Sequence, residues 1–315
     1  MIIGIDIGGM SVKGGIVDRN GKILHRASVE TKAKADYAEI IADIAHLIDV
    51  LLKSAGIGIE KILGIGMGIP GTIDSKRGVI VYSNNINFID VPIVSELKKY
   101  YADTPVYINN DANAAALGEY RFGEAKEYKN LVFMTFGTGV GTGIIIDGKL
   151  FEGNGSAGAE GGHTVIRLDG PKCTCGRRGC FEVYASATAL VRQTKAAMKK
   201  HPESLMTKVV SERGKVSGRT AFLAAKEDDP TAKKVVARYI QYVGEGLVNI
   251  ANIFRPDVIL IGGGMSNEGD AFIAPLQGFM DEHLFGMKNG NPRVAVQKAS
   301  LTNDAGILGA ASLVL

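Results

Sequence analysis

The chain has 315 residues, 46% hydrophobic and 22% charged, with a formal net charge of +3; this composition excludes long disorder, and the lack of any basic block sets nucleic acid aside as a partner. No apolar run approaches a membrane span and no basic stretch precedes the apolar start, so neither a membrane protein nor a secretory leader is expected, and a cytoplasmic location is. The length exceeds what one hydrophobic core usually holds, so two domains are expected.

The chain opens on a predicted strand, with Ile2, Ile3, Ile5 and Ile7 set around Gly4 and Asp6. Gly8 and Gly9 make a turn, a second strand follows through Gly14–Val17, and Asp18–Gly21 turns again. Asp6 at that strand end could hold the hydration shell of Mg²⁺, or it could be a turn aspartate bonded to its own backbone. Ile40, Ile44, Leu47, Ile48 and Leu51 follow one face of a helix. A strand at 106–108 leads into Asn110-Asp111, which starts an alanine-rich helix through Tyr120. There Asp111 reads either as a helix cap or as a general base that accepts a hydroxyl proton.

The opening pattern recurs 129 residues later, where Gly8 corresponds to Gly137, Gly14 to Gly143 and Asp18 to Asp147. A chance likeness of two glycine hairpins and a duplicated domain are the two readings. Gly137-Thr138-Gly139 and, after the strand 258–261, Gly262-Gly263-Gly264 resemble the first glycine turn in following an apolar strand. Glycine lets backbone N–H groups approach an anion and permits positive φ, so three such turns suit a ligand with several phosphates. A strand rather than a helix follows Gly139, which argues against a dinucleotide fingerprint, and the P-loop pattern is absent.

All three cysteines fall between 173 and 180. With His163, Cys173, Cys175 and Cys180 supply four ligands in eighteen residues, enough for a closed, structural zinc site without room for a catalytic water. Glu160 and Glu182 flank this loop, and a carboxylate commonly accepts from two sugar hydroxyls. Lys195, Lys199 and Lys200 read as a solvated helix face. Asp229-Pro230 starts a further helix along Val236, Ile240, Val243, Leu247 and Ile250. The segment 305–315 reads as a helix that returns to the first domain.

With these motifs in hand, the chain resembles the ROK family of bacterial sugar kinases, and most of all its glucokinases. The resemblance rests on Asp6-Ile7-Gly8-Gly9, Pro70-Gly71, Asn110-Asp111, Gly137-Thr138-Gly139-Val140-Gly141, Glu160-Gly161-Gly162-His163 and the run from Cys173 to Glu182. It implies an α/β, actin-like or hexokinase-like fold, with duplicated ribonuclease-H-like domains around a cleft. The expected domains are a small one, 1–115, completed by a C-terminal helix at about 303–315, and a large one, 116–302, carrying the zinc loop. The resemblance further implies that Asn85, Asn110, Asp111, Glu160, His163 and Glu182 contact the sugar. Asp6, Gly8, Gly9, Lys13, Gly137, Thr138, Gly139 and Gly262–Gly264 are expected at ATP and Mg²⁺. His163 would then serve zinc and sugar with one ring nitrogen each. Met10 departs from the pattern, since the family usually has Thr there. The expected reaction is ATP-dependent phosphorylation of glucose at C6, with another hexose, fructose or an N-acetylhexosamine as alternatives. A sugar-responsive repressor is a remote one, because the phosphate strand begins at Ile2 and leaves no room for a DNA-binding domain. A homodimer or dimer of dimers is expected, with sugar and ATP as the small-molecule partners.

Overall fold

The computed structural model describes residues 1–83 and 85–315. Among these, thirteen strands are β1 Ile2–Ile7, β2 Ser11–Val17, β3 Ile23–Glu30, β4 Ile65–Ile69, β5 Thr72–Asp74, β6 Val79–Tyr82, β7 Ile89–Val91, β8 Val106–Asn110, β9 Leu131–Phe136, β10 Val140–Ile146, β11 Lys149–Leu150, β12 Val258–Gly262 and β13 Ala295–Lys298. The chain divides into two compact units. One takes in Met1–Lys129, Gly143–Ala159 and Ser300–Leu315, the other Asn130–Thr142 and Glu160–Ala299. The sequence boundary expected after residue 115 lies inside the helix Asp111–Phe122, which the first unit keeps whole.

The first unit is built on a five-stranded sheet of order β3-β2-β1-β4-β8. β1 pairs antiparallel with β2 and parallel with β4, and β4 pairs parallel with β8. The isoleucine run of β1 is buried on both faces, as expected of a central strand covered on both sides. β3 alternates half-buried and exposed residues, the pattern of an edge. The helix Tyr37–Ala55 buries Ile40, Ile44, Leu47, Ile48 and Leu51 in the same core as Ile3, Ile5 and Ile7. Asp36 caps it by accepting from the Ala38 N–H at 2.9 Å, and Gly56 ends it in the left-handed conformation.

The C-terminal helix Ala305–Ser312 packs on β1 and β4, with its Ile307, Leu308 and Ala311 in one apolar cluster with Ile2 and Val17. Its backbone lies directly on the sheet. A Cβ on Gly66 would stand 1.9 Å from the Ala310 carbonyl oxygen, so any side chain there would push the helix away. Glu119, buried in the helix Asp111–Phe122, anchors the approach to this C-terminal helix. It accepts from the Ser300 N–H at 3.0 Å, the Ser300 hydroxyl at 2.7 Å and the Leu301 N–H at 2.8 Å.

A second five-stranded sheet has the order β11-β10-β9-β12-β13. β9 and β12 pair in parallel, as do β12 and β13, and β10 and β11 are antiparallel. Strand for strand this repeats the first sheet. β1 and β9 differ by 129 residues at both ends (2 to 131, 7 to 136), and so do β2 and β10 (11 to 140, 17 to 146). The duplication reading therefore holds, and chance likeness of two turns does not explain five strands in one order. Asp229 caps the long helix Pro230–Phe254, as its Asp-Pro start predicts. No helix among the described residues is long and apolar enough to cross a membrane.

Candidate active site

In the first unit, the carboxyl-terminal ends of β1 and β8 carry the acidic groups. Asp6 lies one residue from the end of β1, across the ladder from Lys13 on β2. Asn110 ends β8 and Asp111 opens the helix Asp111–Phe122. The cap role that the sequence offered to Asp111 falls to its neighbour. Asn110 is the cap: its Oδ1 accepts from the N–H groups of Ala112 at 2.9 Å and Asn113 at 3.3 Å, while its Nδ2 donates to the Gly71 carbonyl at 3.0 Å. The Asp111 carboxylate accepts from the Ala112 N–H at 2.9 Å, and the residue is accessible to solvent. Though accessible, it is set deep among protein atoms, and that desolvation pushes its carboxyl above the ordinary range against the pull of backbone N–H groups. Asp6 is pushed up to about 6, first by burial and then by the Asp111 carboxylate, with Lys13 acting in the other direction. Asp6 thus responds to both Asp111 and Lys13. Asn85 is exposed and lies beside the first glycine turn, its Cβ 3.6 Å from where a Cβ on Gly9 would stand.

Behind Asn110 runs a polar network that sequence reading missed. Glu152 Oε1 accepts from the Ser75 hydroxyl at 2.8 Å and from Asn109 Nδ2 at 2.9 Å. Asn109 Oδ1 in turn accepts from the Asn110 N–H at 2.8 Å and from Asn113 Nδ2 at 3.0 Å. The register of Asn110-Asp111 is therefore fixed from a loop some forty residues downstream. No local pattern signals such a contact; only the adjacency of Asn109 to Asn110 hints at it.

The glycine turns differ from expectation in how they use glycine. Of Gly8, Gly9, Gly137, Gly139 and Gly262–Gly264, only Gly263 has a positive φ, at 76°. Elsewhere the requirement is space. A Cβ on Gly137 or Gly264 would meet no protein atom within 4 Å, which leaves their backbones open to close approach by a ligand. A Cβ on Gly139 would stand 2.4 Å from Glu182 Oε2. Thr138 offers its carbonyl to the Thr188 hydroxyl at 2.9 Å, which seats the turn on the helix Ala187–Lys200. Met10, beside the first turn, is 88% exposed and packs against nothing that would explain a thioether there.

In the second unit, Glu182 begins a short helix, Glu182–Ala185, and faces two ways. Its Oε2 accepts from the Val140 N–H at 3.0 Å, and its Oε1 lies 3.8 Å from Cys173 Sγ. Glu160 precedes a single helical turn, Gly161–His163, and its carbonyl accepts from the His163 N–H at 3.0 Å. Glu160, His163 and Glu182 are thereby tied to one loop. The ligand atoms of His163, Cys173, Cys175 and Cys180 all lie within 4.8 Å of one another. Cys173 Sγ is 3.6 Å from His163 Nδ1, and Cys175 Sγ is 3.6 Å from Cys180 Sγ. Tetrahedral ligands with Zn–S bonds of about 2.3 Å stand about 3.8 Å apart, so the cluster fits zinc. Its chemistry fits as well: burial and the neighbouring Cys175 and Cys173 push the Cys180 thiol up to about 12, and only a cation would let all three sulfurs ionise together. Nδ1 of His163 faces the sulfurs, which leaves the other ring nitrogen pointing elsewhere.

Comparison with known proteins accounts for the whole chain. The ROK family description matches residues 2–315. The chain is 35% identical over 314 residues to a glucokinase of Thermotoga maritima, covering 99% of this chain and 96% of that one. It is 32% identical to a xylose repressor of Caldicellulosiruptor bescii, covering all of this chain and 78% of the repressor. Among solved structures, a ROK family glucokinase from Streptomyces griseus in complex with glucose and AMPPNP superposes with a TM-score of 0.85 at 34% identity, over 99% of this chain and 98% of that one.

Proposed function

The chain belongs to the ROK family, and from that premise we propose that it transfers the γ-phosphoryl group of ATP to the C6 hydroxyl of glucose. An ATP-dependent sugar kinase is supported by the glucokinases it resembles along its whole length, one of them solved with glucose and an ATP analogue. The observation that carries the mechanism is the setting of Asp111: a carboxylate released from helix capping by Asn110, open to solvent, and raised in pKa by its surroundings. A general base works best when its pKa lies near the working pH, and this setting moves a carboxylate in that direction.

In this reading Asp111 accepts the proton of the C6 hydroxyl as the oxygen attacks phosphorus. Asn85, Asn110, Glu160, His163 and Glu182 hold the remaining sugar hydroxyls. An amide nitrogen carries two N–H groups, and Gly71 takes one of those on Asn110. Gly8, Gly9, Lys13 and the turn Gly137-Thr138-Gly139 receive the phosphates, and Gly262–Gly264 lie at the adenosine. Mg²⁺, held through water by Asp6, would neutralise charge on the transferring phosphates. Zinc on His163, Cys173, Cys175 and Cys180 would fix the loop that bears Glu160 and Glu182, without entering the reaction. Little covalent chemistry falls to the protein in phosphoryl transfer, so positioning and charge stabilisation carry the catalysis. Three cysteines held on a metal rather than in disulfides, and a need for ATP, fit a cytoplasmic setting.

The test is product analysis. With ATP, Mg²⁺ and glucose, phosphorus NMR should show ADP and a single phosphate ester coupled to the C6 protons. An ester at C1, or ADP formed without sugar ester, overturns the reading.

A further inference from the structure

A cavity of about 450 Å³ lies beside the zinc loop, and none of its lining residues is among those assigned above to sugar, nucleotide or metal. It is lined chiefly by the helices Ala187–Lys200 and Pro230–Phe254. Its inner surface is apolar, from Ala197, Val235 and the rings of Tyr184 and Tyr242, which lie 4.7 Å apart at 38°. Around these stand four cations: Arg192, Lys200, Lys234 and Arg238. Among the described residues no Asp or Glu lines the cavity. Its one histidine, His201, pairs with Glu203 at 3.1 Å.

Lys195, Lys199 and Lys200 are exposed, as the solvated helix face read from the sequence expects. Lys200 also borders an apolar hollow whose charged lining is all of one sign, in a chain whose net charge is only +3. Two of the cations are already oriented. Arg192 donates to the Val183 carbonyl, and Arg238 lies over the Tyr242 ring at 5.6 Å while its Nε donates to the Tyr242 hydroxyl at 3.0 Å. A neighbouring hollow that shares Pro171 and Tyr184 adds Arg167 and Arg178 against the single acid Asp169. Cations of one sign around a hollow favour an anion there, and guanidinium groups suit phosphate in particular. The apolar interior would be wasted on a bare phosphate ion, and the volume lies in the range of small-molecule sites.

We propose that this cavity binds an organic phosphate, with a flat apolar body against Tyr184, Tyr242 and Val235 and a phosphoryl group held by Arg192, Lys200, Lys234 and Arg238. The inference does not rest on the kinase reading.

Phenyl phosphate is the probe, titrated calorimetrically into the full chain without sugar or ATP. Saturable binding is expected, weakening as salt is raised. Inorganic phosphate and phenol should each bind at least about tenfold more weakly. Lys200→Glu/Lys234→Glu changes two exposed side chains, should melt as the parent does, and should weaken phenyl phosphate at least about tenfold. Absence of binding, equal affinity in the double variant, or inorganic phosphate binding as tightly as phenyl phosphate overturns the proposal. So does sedimentation that shows self-association of the parent lost in the double variant, since the face would then belong to a second copy.

Discussion

In the proposed reaction the chemistry turns on Asp111 and Asp6, and each has a separable consequence. Asp111→Asn keeps the size of the side chain and leaves the Asn110 cap in place. Its kcat should fall by about 10²–10⁴, the range for a lost acid–base group, while sugar binding is largely retained. Near-normal turnover in the folded variant would remove Asp111 as the base. Asp6 carries a cost of folding. With its carboxyl raised from the ordinary range to about 6, the folded state binds the proton more tightly than the unfolded one. The associated stability is full below about pH 4 and is lost as pH rises through about 6. Asp6→Asn, which never ionises, should therefore be more stable than the parent at pH 7, by up to about 3 kcal/mol, and lose that advantage near pH 3.5. Urea unfolding at the two pH values measures it. A destabilised variant at pH 7 would show that Asp6 is not held against its charge. In the same variant phosphoryl transfer should be largely lost, so that stability and activity move in opposite directions, as expected at a functional site.

At the scale of elements, the loop that gathers His163, Cys173, Cys175 and Cys180 has only a small apolar cluster of its own, and the proposed zinc would order it. Its own apolar cluster consists of Cys173, Cys180, Val183 and Tyr184 with Ile166 and Tyr242 at its margin. Gly176 and Gly179 hold positive φ of 90° and 75°, which lets the chain fold back within a few residues. A metal that joins four side chains supplies folding free energy that so small a cluster lacks. The freshly purified protein should contain one zinc per chain, and Cys175→Ser, an exposed position, should lose zinc and lower the melting temperature together. Elemental analysis finding zinc retained in the variant at parental melting temperature would contradict this. The loop 151–159 is organised differently, by Glu152 reaching Ser75 and Asn109.

For the whole molecule, the duplicated sheet explains which parts could be read from residues alone. A repeat offset of 129 residues survives in two strands and two glycine turns because those positions are held by backbone geometry, which leaves a mark in residue type. The cluster of candidate metal ligands was equally plain, since Cys and His gathered within eighteen residues have few other uses. What escaped reading was long-range. Glu152 acts on residues 77 and 43 positions away, and Gly143–Ala159 packs with the first unit although it follows the first strand of the second. Asn110 and Asp111 both suit a helix start, and only hydrogen bonds to specific N–H groups identify Asn110 as the cap. Positive φ at the glycine turns was expected and is confined to Gly263, because a hairpin can be tight through missing side-chain bulk alone.

Sugar choice is where the central claim is most exposed, since the carboxylates tied to the zinc loop could accept from hydroxyls or from an acetamido N–H. A site that hydrogen-bonds one pattern penalises another, because its buried polar groups are left unpaired. The direct measurement is kcat/KM of the purified chain with ATP and Mg²⁺ for glucose, N-acetylglucosamine and N-acetylmannosamine, assayed side by side. Glucose should give the highest value, by at least about tenfold, or about 1.4 kcal/mol. A higher value for either N-acetyl sugar would contradict the assignment of glucose.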